Sequence, residues 1–381
     1  MPFFLAFGIV AVAVMAILFK TYVGYGNYSW WLKGAFFVFL LISIGGPFIA
    51  HFIKNNYSQG FVLYFVKVFY FLFGFVFFLF VISFVRDFIW MFIDFIKKTP
   101  LEQIKNPPYL GTVNIITIIV TFIFSLYGVY EAFKEPNVLS YTIQSPKVKE
   151  KTRVVMLSDL HIDVDDKPNS VTKLVDKVNS LNPDVIVLAG DIIDNSYGKL
   201  QSQMNRLQEL NAKYGVYVAL GNHEFYSGAL DWILYFGKMK FNVVGNYGEK
   251  IGDTGIYVTG IPDINSVARS RMKICLEGAL YGAEKDSYVI MMSHTPKVAE
   301  GITKDNVDLI LSGHTHGGQI YPFHYFVKQA NEGRLAGFYD VEGIKMYISR
   351  GTRHWGPPMR IGAPSEITIF EFEPSVKKDE K

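Results

Sequence analysis

The sequence predicts an α-helical membrane region of four spans followed by an α/β domain. Three observations carry this. Four long runs within the first 135 residues are apolar and almost free of charge. From residue 152 onward, short β-branched runs alternate with segments whose apolar residues recur at three and four. Finally, five of the predicted strands end in short motifs dense in Asp and His, and strand ends are where an α/β sheet places its chemistry.

The apolar runs lie near residues 2–19, 30–53, 61–85 and 109–130. Each is long enough for a span of roughly 17–25 residues. Lys33 and Lys67 sit close enough to the ends of their runs to snorkel. The first run has no basic leader and no small-residue cleavage site, so it reads as a span rather than a signal peptide. Ser43-Ile-Gly-Gly-Pro47 fits a kink or close helix packing. Asp87 and Asp94, seven residues apart, share a helix face with Trp90 and Met91 between them. That pattern predicts an interfacial amphipathic helix near 87–96, with an extension of the third span as the alternative. No carboxylate lies within the four apolar cores, so residues 1–131 read as an anchor in the bilayer rather than an ion path.

Residues 132–151 carry Pro136, Pro146 and alternating charges and read as a linker, in which Val138 to Ile143 is a candidate edge strand. The domain is expected over 152–373, followed by a charged tail over 374–381. Its predicted strands are Val154 to Leu157, Val185 to Ala189, Val216 to Leu220, Tyr288 to Met292 and Leu309 to Leu311. Helices are expected over Val171 to Leu181 and Met204 to Leu210, and hairpin-like segments over Met346 to Ser349 and Ile367 to Phe372. Strands this uniformly apolar predict a sheet buried on both faces.

The motifs at the strand ends are Asp159-Leu-His161, Gly190-Asp191, Gly221-Asn-His-Glu224, His294 and Gly313-His-Thr-His316. They hold five of the chain's eight histidines. Imidazoles and hard oxygen donors in this number suit two divalent transition metals. Two such ions, roughly 3.5–4 Å apart, neutralise phosphoester oxygens and make water nucleophilic near neutral pH. Asp159, His161, Asp191, Asn222, His294, His314 and His316 supply the ligands for such a pair. His223 is left over beside a ligand, placed to donate a proton to a leaving oxygen.

In this order the motifs resemble those of the calcineurin-like metallophosphoesterases, over Arg153 to Phe372. Gly313-His-Thr-His-Gly-Gly-Gln-Ile320, Ile348-Ser-Arg-Gly351 and Arg360-Ile-Gly-Ala-Pro-Ser-Glu-Ile367 resemble the membrane-associated bacterial branch, which includes YkuE-like and YaeI-like phosphodiesterases and UDP-2,3-diacylglucosamine hydrolases. The branch usually reads Pro-Pro-Glu-Ile where this chain has Pro364-Ser-Glu-Ile367, a departure away from any ligand position. The resemblance implies two packed mixed sheets flanked by helices. It implies one metal on Asp159, His161, Asp191 and His316, and a second on Asp191, Asn222, His294 and His314. It further implies His223 as general acid, oriented by Asp194 or Glu224. Ligands without thiolate admit manganese, iron or zinc, and manganese is the expected ion.

Substrate contacts are expected from Arg350, Arg353 and His354, which follow the ligand motifs, and from Trp232 in the apolar run Leu230 to Phe236. Four spans point to a lipid-linked or membrane-proximal phosphoester. The alternative is a membrane sensor or scaffold on a catalytically weak phosphoesterase fold. Arg269, Arg271 and Lys273 read as a solvated face, Asp163, Asp165 and Asp166 as a solvated loop, and Cys275 as a small core residue. The net charge of +3, with no basic patch among aromatics, indicates no nucleic-acid groove. An even span count puts the N-terminus and the domain on one side. Lys20, Lys33, Arg86, Lys97, Lys98 and Lys105 face the other side, against Lys54, Lys67, Lys134, Lys147 and Lys149. That margin of one leans the domain toward the extracytoplasmic side. The sequence does not set the oligomeric state.

Overall fold

The computed structural model describes residues 2–24, 27–57, 60–100, 110–267, 270 and 272–375. The chain divides into two compact units, Met1–Tyr130 with Gly356–Met359, and Glu131–Trp355 with Arg360–Lys381.

The first unit holds helices α1 (Pro2–Phe19, continued by a π-helical turn over Lys20–Gly24), α2 (Trp30–Asn56), α3 (Leu63–Lys97) and α4 (Leu110–Phe133). All four contain stretches long and apolar enough to cross a membrane. Leu18, Leu40, Ile44, Phe75, Val76 and Leu79 form a core shared by α1, α2 and α3. Gly46 lets α2 approach α3, since a Cβ there would lie 2.7 Å from the Phe69 carbonyl oxygen. Side chains such as Ile115, Ile119 and Ile123 point outward, as expected of helices solvated by hydrocarbon. The segment expected as a separate interfacial helix is instead the last third of α3, the extension of the third span that the sequence offers as the alternative. Nothing between Gly74 and Lys98 breaks a helix, so the turn comes only at Lys98, which takes a left-handed φ of 51° before Pro100.

The second unit is a sandwich of two six-stranded sheets. The first runs β1-β12-β2-β3-β4-β5 and the second β10-β11-β9-β8-β7-β6. Their strands are β1 (Asn137–Ser145), β2 (Thr152–Leu157), β3 (Val185–Ala189), β4 (Val216–Ala219), β5 (Asn242–Val243), β6 (Tyr247–Lys250), β7 (Ile256–Gly260), β8 (Tyr288–Met292), β9 (Leu309–Ser312), β10 (Gly337–Val341), β11 (Ile344–Ile348) and β12 (Glu366–Pro374). Both sheets are mixed: β2 to β5 are parallel and β12 antiparallel to β2, while β7, β8, β9 and β11 are parallel and β6 and β10 antiparallel.

Period-two alternation explains the layers. Val154, Met156, Val185 and Val187 join Val258, Ile290, Leu309 and Leu311 in the core between the sheets. Their neighbours Val289, Met291, Ile310 and Met346 join a second core with Ala279, Ile302 and Val307 on the far side of the second sheet. Helices α5 (Pro168–Ser180), α6 (Gln201–Leu207), α7 (Asn222–Tyr226), α8 (Ala229–Lys238), α9 (Ile264–Val267), α10 (Leu276–Leu280) and α11 (His324–Ala330) complete the unit.

The candidate edge strand in the linker forms: β1 (Asn137–Ser145) pairs in parallel with β12 over its full length at the edge of the first sheet. Two expectations change. The hairpin-like segments near 346 and 367 belong to different sheets, and the hairpin partner of β11 is β10. Cys275 is exposed rather than in the core, because it precedes a five-residue helix at the surface.

Candidate metal centre

Every expected ligand lies just past a strand end: Asp159 and His161 after β2, Asp191 after β3, Asn222 after β4, His294 after β8, and His314 and His316 after β9. The chain reverses sharply at these points. Asp159, His161, Asp191, His314 and His316 all have positive φ, between 43° and 70°. Left-handed backbone at a non-glycine residue costs about 1 kcal/mol or more and persists only where neighbours impose it. Here the loops brace one another. Asp159 N–H donates to the Gly190 carbonyl and His161 N–H to the Asp191 carbonyl, each at 3.0 Å. Glycine is required where two loops touch: a Cβ on Gly221 would overlap Asp191 Oδ1, and one on Gly313 would overlap Ser158 Oγ and Asp159 Oδ2.

The side chains converge in three groups: Asp159 with His161 and His316, His161 with Asp194 and His223, and Asp191 with His294 and His314, the first two sharing His161. Backbone N–H groups hold the carboxylates, His314 N–H donating to Asp159 Oδ1 at 3.0 Å and His223 N–H to Asp191 Oδ1 at 2.9 Å. His294 Nδ1 lies 2.8 Å from the Ala189 carbonyl oxygen. A carbonyl only accepts, so Nδ1 carries the proton and Nε2 presents its lone pair 3.1 Å from Asp191 Oδ2. His161 Nδ1 likewise donates to Asp194 Oδ1 at 2.6 Å, leaving Nε2 aimed at Asp159 Oδ1 and Asp191 Oδ2, 3.9 and 3.8 Å away.

This arrangement fits cations. His161 Nε2 and His316 Nε2 face each other at 3.0 Å, about the spacing of two adjacent nitrogen ligands on a metal with bonds of roughly 2.1 Å. Asn222 Oδ1 and His294 Nε2 are buried with no hydrogen-bond partner, a costly state for isolated polar atoms. Both belong to the set expected around the second ion. The donor set, imidazole and oxygen with no thiolate, suits two divalent ions.

Electrostatics follow the geometry. Burial opposes charge on Asp191, but the positive charge of His294 and His223 when these rings are protonated holds its carboxyl well below the ordinary range, and a bound cation would take the place of that charge once His294 Nε2 is a ligand. Burial likewise opposes charge on Asp194, and His161 and His223 hold it low. Burial disfavours the His223 imidazolium, yet Asp194 and then Asp191 push it up to about 9. Burial and His161 keep His316 well below the ordinary imidazole range, in the neutral form a metal takes.

The two acidic neighbours of His223 separate cleanly. Asp194 Oδ1 lies 2.7 Å from His223 Nδ1, so Asp194 orients the imidazole. Glu224 does not. Its buried carboxylate accepts backbone N–H from Ile192 and Gly221 at 2.7 Å, Asp191 at 3.0 Å and Ile193 at 3.2 Å. It clamps the loop after β3 to the loop after β4, while burial and the Asp191 charge push its carboxyl up to about 7.

Most expected substrate contacts are otherwise engaged. Arg350 donates to Glu366 Oε2 at 2.7 Å. Arg353 forms a two-pronged pair with Asp166, so neither guanidinium is an open anion site. That pair, with Asp163 accepting from Val164 and Asn195, makes the Asp163–Asp166 loop a packed turn rather than a solvated one. Trp232 is fully buried and donates to the Asn195 carbonyl. α8 turns Trp232 and Phe236 inward and Leu230 and Leu234 outward. His354 packs edge-on against Phe133 at 5.1 Å. Lys273 is exposed, and Arg269 and Arg271 lie outside the described residues. Sequence reasoning missed Trp355. It is half-exposed, its ring 5.8 Å from that of His223 and 6.4 Å from that of His161. Gln319 pins its backbone by accepting its N–H and donating to its carbonyl. The available signal was a tryptophan in the Gly-Pro-Pro turn after the ligand motifs.

Residues 152–318 match the calcineurin-like phosphoesterase family. A metallophosphoesterase of Campylobacter jejuni is 36% identical over 264 residues, 68% of this chain and 69% of its own. The chain belongs to this metallophosphoesterase family. It is a metal-dependent phosphoester hydrolase by that membership, and its Asp and His clusters suit two metal ions. A zebrafish transmembrane protein with a metallophosphoesterase domain is 31% identical over 269 residues, 67% of this chain and 61% of its own. The metallophosphoesterase YkuE of Bacillus subtilis is 29% identical over 269 residues, 65% of this chain and 90% of its own.

Proposed function

We propose that this chain is a membrane-anchored dimetal phosphoesterase that cuts a phosphodiester, pyrophosphate or phosphomonoester bond of a lipid-linked or membrane-proximal substrate. The observation that carries the chemistry is the clustering of Asp159, His161 and His316 and of Asp191, His294 and His314, with His161 Nε2 3.8 Å from Asp191 Oδ2, and with buried Asn222 Oδ1 and His294 Nε2 lacking a hydrogen bond. Asp159, His161, Asp191 and His316 hold one ion, and Asp191, Asn222, His294 and His314 the other, with manganese the preferred metal. When bound, the two cations supply charge neutralisation for the phosphoryl oxygens and lower the pKa of water.

The protein's own residues do the rest. Asp194 holds His223 through Nδ1, at 2.7 Å, which leaves Nε2 facing the centre. From Nε2 His223 delivers a proton to the leaving oxygen. Glu224 fixes the spacing of the loops that carry Asp191 and Asn222. The support for a lipidic substrate is the anchor itself: four helices able to cross a membrane keep the domain near substrates confined to the bilayer. The excess of cations in the loops on the other side favours an extracytoplasmic domain.

The test is turnover by detergent-purified, manganese-loaded protein. Bis-p-nitrophenyl phosphate is set beside lipid phosphoesters and UDP-diacylglucosamine, with Asp191→Ala as blank. Turnover of one lipid far above the chromogenic diester supports the proposal. Turnover of the chromogenic diester alone removes its lipid part.

A further inference from the structure

Trp355 is an exposed indole whose backbone is held from two sides. On one side, Thr352 N–H donates to the Ser158 carbonyl at 2.8 Å and Arg353 N–H to the Asp159 carbonyl at 3.3 Å, both in the loop after β2. On the other side stands Gln319, three residues past His316. Gln319 Oε1 accepts Trp355 N–H at 2.9 Å, and Gln319 Nε2 donates to the Trp355 carbonyl at 2.8 Å. Gln319 N–H in turn donates to the His316 carbonyl at 3.0 Å. Two loops that bear expected metal ligands therefore fix this backbone, while the side chain stays half-exposed. Apolar side chains scattered singly on a surface need no explanation; one pinned beside a polar centre has the form of a ligand contact.

Its neighbours decide which part of a substrate it meets. The indole lies edge-on to the His223 ring, 5.8 Å away at 80°, and 6.4 Å from the His161 ring. The exposed ring of Tyr226 lies 5.4 Å from the same His223 imidazole. A proton donor must come within roughly 2.6–3.2 Å of the oxygen it serves, so the atoms bonded to a leaving oxygen beside His223 Nε2 lie close to the indole. Charge does not compete for them from the nearby arginines, since Arg350 is paired with Glu366 and Arg353 with Asp166. What these residues offer a leaving group beside the acid is aromatic surface.

We propose that Trp355 determines leaving-group specificity: its indole stacks on a flat ring carried directly by the scissile oxygen, so that ring-bearing phosphoesters are preferred over acyclic alkyl ones. The inference rests on the phosphoesterase reading above, with His223 as the acid, and adds the chemical class of the group that leaves. A ring stacked on an aromatic side chain is worth roughly five- to 150-fold by alanine substitution. A backbone fixed in advance lowers the ordering cost of that contact.

The experiment compares kcat/KM of the full chain, detergent-purified and loaded with manganese, on two phosphodiesters. One is bis-p-nitrophenyl phosphate, the other an acyclic fluoroalkyl diester of matched leaving-group acidity. Trp355→Ala should lower the aryl-to-alkyl ratio by about tenfold or more, mostly through KM, and Trp355→Phe should keep it within about threefold. Trp355→Leu, which fills the space without a flat face, should behave like the alanine variant and serves if that variant misfolds. Calorimetric binding of benzylphosphonate against propylphosphonate, neither of them cleavable, gives a readout without turnover: wild type should favour the ring, and Trp355→Leu should not. An unchanged ratio in both variants, or equal losses on both diesters as for a mere support of His223, overturns the proposal. Turnover by wild type with no preference between the two phosphonates rejects this inference alone. Absent turnover with the benzyl preference intact, and lost in Trp355→Leu, rejects the phosphoesterase reading and leaves the ring contact standing.

Discussion

Replacing Asp194 with Asn tests how the site divides its labour. One carboxylate oxygen of Asp194 serves two imidazoles: it lies 2.6 Å from His161 Nδ1 and 2.7 Å from His223 Nδ1. The first contact turns a ligand toward the metal, and the second holds the acid. Substituting the amide removes the charge while keeping the volume. Charge-assisted hydrogen bonds are about twice as strong as neutral ones, and those to charged groups contribute about 1.5–3 kcal/mol. Losing half of each is about 0.8–1.5 kcal/mol, or roughly four- to twelvefold, at each imidazole. Metal affinity should therefore fall by about that factor through His161, reaching the lower end of the range for residues that orient ligands. At saturating manganese, kcat should still fall by a similar factor through His223. The fall should be larger for an alkyl leaving group than for p-nitrophenolate, which leaves without help from an acid. Manganese titration of Asp194→Asn, with kcat measured on both substrate types, separates the two effects. Unchanged metal affinity together with equal losses on both substrates would refute the shared role.

Other perturbations probe neighbouring parts. His223→Asn should leave metal content intact and slow turnover by about 10²–10⁴-fold; a parallel loss of metal would make His223 a ligand instead. Glu224→Gln places an amide N–H₂ among four backbone donors. A thermal melt should show a loss of about 2 kcal/mol or more, and an unchanged melting temperature would contradict the clamp. Asp166→Asn leaves Arg353 without its charge partner and should cost about 3 kcal/mol. Burial opposes the Asp166 charge, but Arg353 holds its carboxyl below the ordinary range. The stability from that pair is thus present above the ordinary carboxylate pKa and lost as pH falls through the lower, folded value. Acid titration of stability should show this slope in wild type and not in the variant. Cys275 is exposed and is the only cysteine, so a membrane-impermeant maleimide should label it in intact cells if the domain is extracytoplasmic. Labelling only after lysis would reverse the orientation.

The placement of the Asp, Asn and His motifs at strand ends was legible because each follows a strand of nearly pure apolar residues, and such strands announce their own ends. The sequence did not separate Asp194 from Glu224. Both carboxylates sit within a few residues of a ligand, and only the backbone shows one facing an imidazole and the other facing four N–H groups. It also misread charge as availability. Arg350 and Arg353 follow the ligand motifs closely, but their partners Glu366 and Asp166 are 16 and 187 residues away, a pairing set by the packing of distant loops. Trp232 misled for a similar reason: an aromatic helix beside the site suggested a surface, while its indole fills the core and α8 exposes Leu230 and Leu234 instead. In the membrane part, composition located the four runs. The extension of the third span past Arg86 is the alternative reading of the sequence, but hydropathy could not foresee that it brings that charge against Asn114 and Thr117.

The dependence of both metals on Asp191 is measured most directly by elemental analysis of purified full-length protein, wild type beside Asp191→Ala, after loading with manganese and removal of excess. Two ions per chain in wild type, one or fewer in the variant, and no turnover of bis-p-nitrophenyl phosphate by the variant are predicted. Two ions retained in Asp191→Ala, or undiminished turnover without them, would contradict the shared carboxylate at the centre of this site.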